Sequence, residues 1–137
     1  MMSGWKLTAI TILTGLSIAC GDDDPVAPVV LQTCPAAVQL TIGPGTSPEI
    51  SWTPACLLFF VIVEPADAGN DLWSVISRGE NVIAPPVRYG VVPAGAQGLF
   101  EPPVELIAGQ AYKVAVGRWT GPGDEEGEII GVREFTP

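Results

Sequence analysis

The chain has 137 residues, enough for one domain of ordinary size, and 47% of them are hydrophobic, enough for a core. With 16 glycines and 14 prolines it is a poor helical bundle and suits short strands joined by turns. A formal charge of -9 repels a phosphate backbone and argues against a nucleic-acid partner, and the lack of histidine removes the commonest general base and metal ligand.

Lys6 is the single charge among the first 21 residues, and residues 7–19 read LTAITILTGLSIA without any charge. That run falls short of the roughly 20 residues needed to span a bilayer. It fits the apolar region of a secretory signal, with Lys6 as the positive start. The run ends in LSIAC, residues 16–20. This ending resembles the lipobox of bacterial lipoproteins, in which the cysteine becomes the first mature residue and carries lipid. Ala19 matches the small residue before the cysteine. Leu16 stands one place before the usual leucine, and Ser17 fills that slot. The resemblance implies a signal peptide over residues 1–19, lipidation at Cys20 and export to the cell envelope. A plain secretory signal with an incidental cysteine is the alternative, and a short buried helix a weaker one, since Gly21 to Asp24 would end it with acid at its negative end.

Acyl chains on Cys20 would hold the protein to a membrane without a transmembrane helix, at about 0.8 kcal/mol per buried CH₂. Asp22, Asp23 and Asp24 follow, keeping the next residues hydrated and repelled from an anionic surface. Pro25 and Pro28 bias the remainder of residues 20–33 toward extended conformations, so this segment reads as a tether.

Residues 34–137 read as the folded domain. AVQLTI (37–42) alternates loosely and stops at the turn-rich GPGTSP. EISWT (49–53) puts Ile50 and Trp52 on one face. LLFFVIVE (57–64) is apolar at both parities, as in a central strand covered on both faces. LWSVIS (72–77) is another strand. PPVRYGVVP (85–93) suits an edge, where proline is tolerated. AYKVAVGRW (111–119) puts Tyr112, Val114 and Val116 on one face. IIGVREF (129–135) closes the chain.

About seven short strands with frequent turns predict an all-β fold, a β-sandwich of the Ig-like class. LIAGQAY places Leu106 six residues and Gly109 three residues before Tyr112. This spacing resembles the tyrosine corner of fibronectin type III domains, with Ala108 where proline is usual. Trp52 resembles the tryptophan of that family's second strand. The resemblance implies a buried Tyr112 whose hydroxyl bonds upstream backbone. About thirty residues separate LWSVIS from the corner, more than the family needs, so residues 85–103 hold an insertion or an extra hairpin.

With Cys20 taken by lipid, Cys34 and Cys56 remain, and pairing is the default in an exported protein. Two free thiols are the alternative. Two cysteines without histidine do not complete a zinc site unless carboxylates help.

A Ser-His-Asp set is impossible without histidine, and no phosphate-binding or nucleophile-elbow motif occurs. Glu101 and Glu105 are the nearest candidate for acid-base work by paired carboxylates, most simply read as solvated residues around two prolines. The tip GPGDEEGE holds Asp124, Glu125, Glu126 and Glu128. A solvated hairpin tip is the simplest account of them; they are also candidate weak calcium ligands, though without EF-hand spacing, and the resemblance makes the same loop a candidate binding loop. Trp73 and Trp119 read first as core or sheet-face packing and second as candidates for an aromatic binding surface, with Arg118 placed to stack on one of them as a structural contact.

The expectation is therefore a lipid-anchored, non-catalytic envelope protein with no cofactor. Its partners would be the membrane, through Cys20, and an envelope protein or polysaccharide. The alternative is a carbohydrate-binding module or an accessory subunit of an envelope enzyme. Whether Trp73, Tyr89 and Trp119 are buried separates these readings.

Overall fold

In a computed structural model, residues 30–100, 102–122 and 127–137 are described. The segments expected as signal peptide and, for the most part, as tether lie outside the described residues, with Cys20, as do Glu101 and, in the acidic tip, Asp124, Glu125 and Glu126.

Alternation of apolar residues sets the first strands. β1 (Gln39–Ile42) pairs antiparallel with β2 (Glu49–Thr53), and Ile50 and Trp52 point from β2 into the core. β5 (Val87–Arg88) adds to the other side of β2, giving a three-stranded sheet in the order β1-β2-β5. β3 (Phe60–Pro65), β4 (Trp73–Ser77), β6 (Ala96–Leu99), β7 (Tyr112–Arg118) and β8 (Glu128–Phe135) form a five-stranded antiparallel sheet in the order β6-β4-β3-β7-β8. The two sheets make an all-β sandwich. No helix occurs among the described residues.

The described residues form eight strands against about seven expected, and the extra one is β6. After β5 the chain leaves the small sheet, turns at Gly95, and pairs with β4 at the edge of the large one. Gly95 has a φ of +77°, and a Cβ there would lie 2.9 Å from Val82 Cγ2, so the turn requires glycine. The long segment between β4 and the corner thus serves both sheets. Its proline-flanked start gives two paired residues at the edge of the small sheet, shorter than the run PPVRYGVVP suggests.

The core lies between the sheets. Ile50 and Trp52 belong to one buried cluster with Val61, Val63, Trp73, Val75, Tyr112, Val114 and Val116 of the large sheet. The Trp52 indole N–H donates to the Cys56 carbonyl at 2.8 Å. At one edge the sheets are joined. Val38 N–H donates to the Ile130 carbonyl at 3.0 Å, and Arg133 Nη1 to the Leu40 carbonyl at 2.6 Å. A bulge at Val116/Gly117 shifts the register of β8 and lets Ile130 turn into the core.

Cys34 and Cys56 form a disulfide with Cα atoms 4.8 Å apart. Backbone pairing begins slightly before Cys34, inside the segment read as tether. Leu57 N–H donates to the Gln32 carbonyl, and Thr33 forms a parallel bridge with Leu57. The chain entrance is thereby fixed to the corner that precedes β3.

Candidate functional site

Strand parity divides the five-stranded sheet into an inner face and an outer face. On the outer face, the register aligns Leu99, Ser74, Ile62, Ala115 and Val132 in one row across all five strands. The neighbouring row runs Gln97, Ile76, Phe60, Gly117 and Ile129. A third begins with Glu64, Lys113 and Glu134. Two apolar rows therefore lie beside a charged one.

These apolar rows form a groove of about 620 Å³. Its floor is closed by local packing. The Phe60 ring lies across Gly117, where a Cβ would sit 2.1 Å from Phe60 Cζ. Ala115 and Ser74 are buried, and Ile62 and Ile76 are half-buried. The rims stay open: Leu99 is 42% exposed and Ile129 60%, and Val132, at the end of the first row beyond the groove, is 54% exposed. The run LLFFVIVE suggests a strand covered on both faces. β3 is indeed central, but no described element forms a layer over its outer face. Its outward residues pack sideways on their own sheet.

Polar groups gather at one end. Asp71 lines the groove, and its carboxyl is pushed up, first by burial and then by the neighbouring Glu64 charge. Glu64 is paired with Lys113 at 2.8 Å, and this bond raises the Lys113 ammonium above its ordinary value. Ser74 Oγ, in the groove wall, is buried without a hydrogen-bond partner among the described residues.

The other candidate residues fall elsewhere. Trp73 is fully buried and packs on Tyr89, ring centroids 5.2 Å apart. The Tyr89 hydroxyl donates to the Val104 carbonyl, and burial pushes this phenol up to about 12. Neither ring faces solvent, so Trp73 is core and not part of an aromatic surface. Trp119 is half-buried. Its backbone is held on both sides by Asn81, whose Nδ2 donates to the Trp119 carbonyl at 2.8 Å and whose Oδ1 accepts from Trp119 N–H at 2.7 Å.

Arg118 does not stack on a tryptophan. Its Nε and Nη2 each reach Glu128 Oε2 at 3.0 Å, and Nη1 donates to the Cys34 carbonyl at 2.9 Å. Glu128, a candidate calcium and binding-loop residue, is thus occupied by an ion pair at the base of the tip. Glu105 is exposed.

At the corner, Tyr112 is buried and its hydroxyl accepts from Ile107 N–H at 2.8 Å. Leu106 is buried beside it, and Gly109 adopts a φ of +84° in the turn. Sequence reasoning missed Asp71, Ser74 and Leu99. Their one visible signal was the two-sided apolar pattern of β3, read as burial.

Comparison with family models, curated proteins and solved structures finds no match for this chain.

Proposed function

We propose that this chain is a lipid-anchored protein of the bacterial cell envelope whose fibronectin type III-like sandwich acts by binding or scaffolding. Residues 1–19 direct export, Cys20 carries the lipid, and the tether presents the domain to a partner. The observation that carries the binding role is the outer face of the five-stranded sheet. Its apolar rows end in the exposed Leu99, Ile129 and Val132, and no described element lies over them. Apolar side chains left open to water on the edge strands of this face have a favourable use in association.

The lipid anchor is supported by LSIAC at the end of a charge-free run. The Tyr112 hydroxyl bond to Ile107 supports the fibronectin-like assignment. A non-catalytic role is supported by the lack of histidine in the sequence. The carbohydrate-module reading draws nothing from Trp73 and Tyr89, which pack on each other inside the domain.

The test is made in intact cells. A photo-reactive residue at position 99 or 132 should give a discrete cross-linked product, and one at the exposed Thr41 on β1 should not. Fractionation should leave the protein with membranes. Equal labelling from all three positions, or a soluble unlipidated product, overturns the reading.

A further inference from the structure

We propose that the outer groove binds an extended segment of a partner protein carrying apolar side chains and one lysine or arginine, with the cation seated against Asp71. This rests on the binding role proposed above and specifies the partner's chemistry.

Size comes first. Five strands spaced at about 4.8 Å span roughly 19 Å, the length of about six extended residues. Phe60, Ile62 and Ile76 supply an apolar floor, with Leu99 and Ile129 standing above it. Alternate side chains of an extended segment would meet this floor.

Charge decides which segment. Three basic side chains of the large sheet are engaged: Lys113 with Glu64, Arg118 with Glu128 and Cys34, Arg133 with Leu40. Among the described residues Asp71 has no such cation, and the charge that perturbs it is the like-signed Glu64. A carboxylate in this position gains from an incoming cation. Ser74, three residues along, holds a buried hydroxyl without a partner, which the backbone of a seated segment can satisfy once the wall adjusts. A second copy would bring together two chains of charge -9, and an anionic lipid surface would be repelled in the same way. A basic, apolar segment meets none of this repulsion.

The experiment uses the full chain and two labelled six-residue peptides, Leu-Ser-Leu-Ser-Lys-Ser, whose lysine shares a face with the leucines, and the same peptide with glutamate for lysine, read by fluorescence anisotropy. The lysine peptide should bind at least about tenfold more tightly than the glutamate peptide. Asp71→Asn should abolish that preference, and Leu99→Ser should weaken binding of the lysine peptide, both with unchanged circular dichroism. Equal binding of the two peptides, no binding by the folded chain, or a preference that survives Asp71→Asn overturns the proposal. So does a dimer in sedimentation that Leu99→Asp disperses, since the occupant is then a second copy. If the peptides fail while cross-links from positions 99 and 132 persist, the cation is wrong and the binding face stands. Loss of those cross-links removes the binding role itself.

Discussion

The Tyr112 hydroxyl accepts a hydrogen bond from Ile107 N–H at 2.8 Å, joining a core strand to the turn that leads into it. The Tyr112 ring is buried between the sheets and lies 5.8 Å, centroid to centroid, from Phe135. Tyr112→Phe keeps the ring and removes the acceptor, so it should cost about 1 kcal/mol. Trp52→Ala removes a large core side chain as well as the bond to Cys56, and should cost about 3–5 kcal/mol. Urea melts of the two variants rank them. A neutral Trp52→Ala would count against the core described here.

Gly117 and Phe60 form a matched pair on the outer face. A methyl group at position 117 would meet the Phe60 ring at 2.1 Å and the Glu128 carbonyl at 2.7 Å. Gly117→Ala should therefore destabilise the domain by about 1–3 kcal/mol. In a Phe60→Val background the penalty should shrink without vanishing, because the backbone oxygen stays in place. A double-mutant cycle measured by thermal unfolding tests this. Strict additivity would show that the ring does not lie across the glycine.

The disulfide closes a loop with a sequence separation of 22 residues. Chain entropy assigns such a loop about 3 kcal/mol. Intact mass of the alkylated protein should show Cys34 and Cys56 protected until reductant is added. Reduction should lower the urea midpoint. Alkylation of both thiols in the untreated native protein would contradict the bridge.

Asp71 sets a pH dependence. Its carboxyl is raised above the ordinary value of 3.8, so the unfolded chain loses this proton first. Between the two values the folded state holds more protons, and stability falls as pH rises. At lower pH both states are protonated and the cost disappears. Asp71→Asn should then be more stable than the parent at about pH 7, with the advantage fading by about pH 3. Paired melts across that range check the sign. A destabilised Asp71→Asn at neutral pH would mean that the carboxylate has a favourable partner.

Lipidation is checked by mass. Membrane-extracted protein should begin at Cys20 and carry acyl mass, and Cys20→Ser should free it from the membrane or block its processing. An unmodified native product starting elsewhere would remove the anchor.

The sequence alone determined the all-β class, because apolar residues recur with period two and glycine and proline punctuate them. β2 is legible residue by residue in EISWT, since Ile50 and Trp52 alternate with polar neighbours. The pairing of Cys34 with Cys56 was the default once Cys20 was assigned to lipid. The tertiary structure alone decided what the apolar run of β3 faces. Periodicity reports that Phe60 and Ile62 are apolar, but whether a second layer lies over them depends on where distant strands go. Residues 96–99, without an apolar alternation of their own, become β6 by pairing with β4, and this puts Leu99 at the end of the row through Ser74 and Ile62. The Arg118–Glu128 ion pair and the unpartnered Ser74 hydroxyl likewise arise from contacts between strands. Such contacts are set by register and sheet order, and neither is written in the local pattern of any one strand.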